Sequence, residues 1–108
     1  MPQTFRQYWG PCSGRCVLNF NSPAINRDSV VLVTASEYSP EGEDVTQWPR
    51  FVGSANISVD NISPHGAPED PNGGVTFVVS VNWDSALLVV TDITVLDRPP
   101  VDIEVPQG

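Results

Sequence analysis

Lysine is absent from this 108-residue chain; its five basic residues are all arginine, against thirteen acids, for a formal net charge of −8. A nucleic-acid partner needs a basic footprint to neutralise phosphates, and an anionic membrane surface attracts basic proteins, so neither is expected. No stretch is long and apolar enough to cross a bilayer as a helix, so membrane insertion is not expected either. Histidine occurs once, at His65, and cysteine twice, at Cys12 and Cys16. Two cysteines cannot complete a structural zinc site, and His65 is too remote in sequence to join them by spacing. The opening MPQTFRQYWGPC lacks the basic start and apolar middle of a signal peptide. The expected setting is therefore the cytoplasm, or a particle assembled there; a leader removed beforehand would leave secretion open. Helical periodicity is missing over any useful length.

What the chain does have is short alternating runs punctuated by eleven prolines and eight glycines. Hydrophobic residues make up 40%, enough for one modest core and hence one domain. The most informative stretch is GGVTFVVSVNWDSALLVVTDITVLD, residues 73–97. Val75, Phe77, Val79 and Val81 share one parity in its first half. Leu87, Val89, Thr91, Ile93 and Val95 share one in its second half. A period of two with many β-branched residues predicts strands, and the polar Asn82, Asp84 and Ser85 between them predict a hairpin. A lone hairpin is marginally stable, so more sheet must pack on it.

Residues 29–38, SVVLVTASEY, read as a strand apolar on both faces, as covering from two sides or a subunit contact would require. Residues 51–62 read as one half-buried strand with Ala55, Ile57 and Val59 inward, and residues 17–20 as the start of another. The expected fold is an all-β antiparallel sandwich of about six to seven strands, with a partly closed barrel as the alternative. The chain divides into an aromatic arm at 1–16, a core at 17–98 and a C-terminal strand or tail at 99–108. Rings left in water would be costly, so the arm with Phe5, Tyr8 and Trp9 either lies across the body or docks on a neighbouring subunit; these three, and Val101, Ile103 and Val105 in VDIEV, an edge strand or a tail adding to a partner's sheet, are the candidates for assembly contacts.

Candidate sites are few. Cys12 and Cys16, in PCSGRC, lack the spacing of a thioredoxin-like motif and leave a small-loop disulfide or free thiols as the alternatives. Trp48, beside the acidic loop SPEGEDVTQWP, and Trp83, at the turn of the expected hairpin, are the ligand-contact candidates, together with Tyr38, Asp84 and His65. An aromatic ring beside carboxylates and amides can stack on a sugar face, and the same surface suits a protein contact. Trp83 has the parity of Val79 and Val81, so core burial is its simplest reading. His65, in the loop SPHGAPEDPNGG, is expected to be exposed. Glu69, Asp70 and Asn72 in that loop offer closely spaced oxygens that would suit calcium, as do Glu41, Glu43 and Asp44, without the twelve-residue pattern of an EF-hand. Solvated turns explain both runs more simply. No nucleophile, base and orienting partner share a recognisable motif, and no other cofactor is implied.

Three segments, FNSPAINRDSVVLV at 20–33, ISVDNISPHG at 57–66 and GGVTFVVSVNW at 73–83, together resemble the H-type lectins. These are small β-sandwich domains, often trimeric. The resemblance implies trimeric self-association and carbohydrate recognition; no sugar-binding residue carries across, because no functional motif matches. The functional expectation is a non-catalytic binding and assembly module, oligomeric and carbohydrate-recognising. The alternatives are a purely structural fibre or tail component and, third, a small hydrolase-like enzyme.

Overall fold

The computed structural model describes residues 2–96 and 105–106 of the chain. Seven strands run in order: β1 (Gln3–Cys12), β2 (Gly14–Asn21), β3 (Val30–Tyr38), β4 (Arg50–Phe51), β5 (Asn56–His65), β6 (Gly74–Asn82) and β7 (Leu87–Leu96), with one 3₁₀ turn at Val45–Gln47. They form two antiparallel sheets, β1-β7-β3-β4 and β2-β6-β5. One sheet curls into a half-barrel that does not close. The all-β sandwich expected from the alternation is the fold observed.

The expected hairpin at 73–97 is not one. β6 is the middle strand of the three-stranded sheet, and β7 lies between β1 and β3 in the other. The two strands instead pair with β2 and β1. Gln3 opposite Val95 through Cys12 opposite Leu87 is one half of a long ribbon, and Gly14 opposite Val81 through Asn21 opposite Gly74 is the other. Between the halves, Ser13 alone separates Cys12 from Gly14 while residues 82–86 separate Val81 from Leu87; Asn82 still ends β6 opposite Asn56, and residues 83–86 loop out at the fold. A sharp bend is needed there, and Gly14 takes it with φ +65°. The alternation fixed which residues face inward but carried no information on the partner, since either sheet offers β6 and β7 the same apolar face.

The arm is likewise part of the sheet. Residues 3–12 hydrogen-bond along β7, interrupted by a bulge between Tyr8 and Gly10. Phe5 packs on Phe20 with ring centroids 5.3 Å apart, and Trp9 meets Phe77 edge-on at 5.9 Å. Of the two placements open to the arm, across the body or on a neighbouring subunit, these two rings take the first and pack against this chain's own core. Val101 and Ile103 of the expected assembly tail lie outside the described residues, and Val105 is exposed.

The core itself is the inner parity: Val75, Phe77, Val79 and Val81 of β6, Val89, Ile93 and Val95 of β7, and Val31 and Val33 of β3, closed at one end by Ile25. Each fully buried side chain of this size contributes ~1.5–3 kcal/mol by leaving water. On β3, Leu32 remains exposed on the opposite face. The segment 51–62 is two strands rather than one: β4 pairs with β3, residues 52–55 cross over, and β5 pairs with β6. β5 runs on to His65 through an irregularity between Asp60 and Ser63, where Asn61 adopts φ 56°. Cys12 and Cys16 form a disulfide with Cα atoms 6.3 Å apart, stapling the corner between the sheets.

Candidate binding surface

Three surface regions gather the chemistry-bearing residues, and they lie on different parts of the sandwich. On the outer face of β1, β7 and β3, Tyr8, Tyr38 and Trp48 pack with centroids 5.5–5.9 Å apart. The Tyr38 hydroxyl donates to the Val45 carbonyl at 2.7 Å, and Trp48 Nε1–H donates to the Gly42 carbonyl at 3.1 Å. Tyr38 is buried. Asp44 caps the 3₁₀ turn through Thr46, whose hydroxyl and backbone N–H hold its carboxyl below the usual range. Tyr38 and Trp48 therefore spend their polar groups pinning residues 39–49 to the sheet. Beside them, Asp92 accepts from Arg6 Nε at 2.7 Å and Arg6 Nη2 at 3.0 Å, with Arg50 Nη1 at 3.5 Å. Hydrogen bonding from Arg6, then its charge, holds Asp92 below the usual carboxylate range, and the same bond raises Arg6.

The second region surrounds His65, which ends β5 and is half-buried rather than loose in a loop. Its Nδ1 lies 2.7 Å from Asp70 Oδ2 and its Nε2 lies 2.7 Å from Asn19 Oδ1; Thr76 Oγ1 donates to the same Asn19 oxygen at 2.9 Å. Asp70 also accepts from the Asn72 backbone N–H, and that bond first, then His65, keeps its carboxyl below the usual range. An aspartate–histidine pair is the start of a hydrolytic triad, yet here the second ring nitrogen meets an amide rather than a nucleophile. What the chain of bonds does is tie residues 66–73 to β2 and β6. Glu69 is paired with Arg27. Glu69 and Asp70 are thus engaged by Arg27 and His65, and Asn72 gives its backbone N–H to Asp70. Among the described residues no three His, Cys, Asp or Glu side chains gather as metal ligands do.

The third region is apolar. Trp83, for which parity favours the core and position at a turn allows a surface contact, is 47% exposed on the loop that buckles out of the ribbon, with Asp84 exposed beside it. Phe51 is 49% exposed and Val52 98%. They belong to a rim where β3, β4 and the start of β5 approach the Trp83 loop. Two adjoining hollows open there. One, of about 210 Å³, is lined by Glu37, Phe51, Gly53, Ser54, Ala55, Trp83 and Leu87. The other, of about 180 Å³, has Glu37, Phe51, Gly53 and Ala55 in common with it and adds Val52 and Ile57.

The structure thus separates the two tryptophans that the sequence presented as equivalent. Trp48 belongs to a packed aromatic cluster and Trp83 to an open rim. Nothing in the sequence groups Glu37 with Phe51 and Val52: Glu37 lies on β3, and in a half-buried strand over 51–62 Val52 is an ordinary outward residue. Gly53, a residue suited to a bulge or bend, marks where that strand breaks in two. No family model matches the chain, and no curated protein and no solved structure matches it either.

Proposed function

We propose that this chain is a non-catalytic binding and assembly module whose contact surface is the rim of Phe51, Val52 and Trp83. The observation that carries the reading is the exposure of these three side chains at two adjoining hollows that share Phe51, Gly53 and Ala55, Trp83 lining one and Val52 the other. Exposed aromatic residues grouped with aliphatic ones around a depression are the composition of an interface centre. Catalysis finds no comparable support, since His65 Nε2 is engaged by Asn19.

Self-association through this rim is the form of assembly we favour, with the trimer implied by the H-type lectin resemblance as the reference state. A net charge of −8 makes copies repel, so association through the rim must draw on its apolar side chains. Light scattering across concentration tests this. The expected result is a mass that rises with concentration, more readily at 0.5 M than at about 0.05 M salt because screening removes the repulsion, and that falls to one chain in Val52→Asp. A monomer under all conditions ends the self-association reading.

Glycan recognition is the second reading. Its support is the half-exposed Trp83 with Asp84 adjacent and Glu37 in the same hollow, a stacking face flanked by hydroxyl acceptors. Glycan-array binding lost in Trp83→Ala but kept in Trp48→Phe is the expected pattern. As to setting, the disulfide favours oxidising surroundings, such as the outside of an assembled particle or an exported form, over free cytoplasm.

A further inference from the structure

The charges around the rim narrow the kind of partner it fits. Glu37 lines both hollows and has no cationic partner within salt-bridge distance among the described residues. Asp84 stands exposed next to Trp83 in the chain. None of the described residues lining either hollow is basic. The arginines are committed elsewhere: Arg6 and Arg50 converge on Asp92, Arg27 pairs with Glu69, and Arg15 lies on β2 opposite Ser80. Arg98 is outside the described residues.

We infer that the rim is a docking site for an extended peptide segment of another protein in which a large aliphatic side chain is flanked by arginines. The inference rests on reading the rim as a contact surface and not on self-association, which would use the same residues and compete with it. The aliphatic side chain enters between Phe51, Val52 and Trp83, where burying it also removes their exposed apolar surface from water. An arginine on one side reaches Glu37, where the planar guanidinium can make a charge-assisted bidentate pair with a carboxylate that has no cationic partner among the described residues. The arginine on the other side meets Asp84. The two hollows, at about 210 and 180 Å³, each suit one side chain rather than a drug-sized ligand. That favours a linear segment laid along the rim over a compact small molecule. The acidity of the whole chain adds a long-range attraction that speeds encounter with such a segment and weakens with salt.

Fluorescence anisotropy with three labelled peptides tests this. One carries Arg-Leu-Arg between glycines, the second replaces its leucine by glycine, and the third replaces its arginines by glutamate. The expected result is saturable binding of the first alone, weakened about tenfold or more in Glu37→Gln and in Trp83→Ala and several-fold in Asp84→Asn. Equal binding of the leucine-free basic peptide would overturn the inference, because the attraction would then be to net charge alone. So would unchanged affinity in Glu37→Gln and Asp84→Asn, each checked for native folding by its circular dichroism, and so would absence of binding to the wild-type chain. A monomeric protein that binds the first peptide keeps this inference while ending self-association; an oligomer that ignores it does the reverse.

Discussion

Trp9 and Thr91 meet inside the sandwich, the indole Nε1–H donating to the threonine hydroxyl oxygen at 2.8 Å. Thr91 is 1% exposed, a polar residue at the core parity of β7 between Val89 and Ile93. Its hydroxyl also reaches toward the Gln7 carbonyl at 3.4 Å, so β1 and β7 are joined by side chains as well as by the ladder. Indole nitrogen can only donate, and an indole N–H shut away from water without an acceptor costs the full desolvation penalty. Thr91→Val keeps the shape and removes the acceptor. It is expected to lower the unfolding free energy by ~1–3 kcal/mol in urea titration. In the Thr91→Val, Trp9→Phe double variant the two losses should fall short of additive, since the second change removes the orphaned donor.

The disulfide gives a second prediction. It spans a sequence separation of four at the corner where the ribbon passes from one sheet to the other. Chain-entropy reasoning credits so short a loop with only about 2 kcal/mol. The Cys12→Ala, Cys16→Ala variant should therefore lose about that much and still fold. The register on either side of the corner should survive, because Leu87 opposite position 12 and Val81 opposite Gly14 are held by the ladders. Amide chemical shifts of β2 and β7 and a urea titration check both statements.

Acid should weaken the fold through its carboxylates. Asp92, Asp70 and Asp44 all have folded values depressed below the ordinary aspartate value, by Arg6, by Asn72 with His65, and by Thr46 respectively. A depressed carboxylate adds stability that is complete above its unfolded value near 3.9 and is lost as pH falls through the folded one. Thermal unfolding should thus be flat toward neutral pH as far as these groups are concerned and decline below about pH 4. Asp92→Asn should make the acid limb shallower. Its loss near neutral pH should stay below about 1 kcal/mol, because Arg6 and Arg50 are half-exposed and water screens them.

How far the sequence revealed this molecule depends on the kind of information asked for. Inward-facing positions were legible, because burial on a strand imposes a period of two: Val75, Phe77, Val79, Val89 and Ile93 are all fully buried as their parity requires. Pairing was not legible. β6 and β7 are adjacent in sequence with a polar link, and only the whole set of partners decides that they divide between two sheets. The arm illustrates a different limit. Gly10 and the bulge beside it break the alternation of residues 3–12, hiding a strand from a test that depends on alternation. At the rim, Trp83 had the parity of the core but sits just past the end of β6, where parity ceases to dictate direction. The contacts of His65 with Asn19 across 46 residues had no local signal at all.

The last prediction concerns Gly73, where two loops touch backbone to backbone. Ser22 N–H donates to the Gly73 carbonyl at 2.9 Å, which brings the 66–73 loop against the turn that follows β2. A Cβ at position 73 would lie 1.8 Å from the Ile25 carbonyl oxygen and 2.6 Å from that of Ser22. Both are main-chain atoms, so no rotamer change relieves the clash; the turn or the loop must shift. Ile25 is 2% exposed and closes the end of the core, so a shifted turn also loosens that packing. Gly73→Ala is expected to destabilise at or above the top of the ~1–3 kcal/mol range of overpacking. Gly42 is the control. It has φ +80° and nothing within 4 Å of its would-be Cβ, so Gly42→Ala carries only the left-handed strain of about 1–2 kcal/mol. Methyl spectra should separate the two variants: Ile25 and Val75 resonances move in Gly73→Ala and stay in place in Gly42→Ala. Retention of wild-type Ile25 shifts in Gly73→Ala would mean that the two loops are not in contact as described.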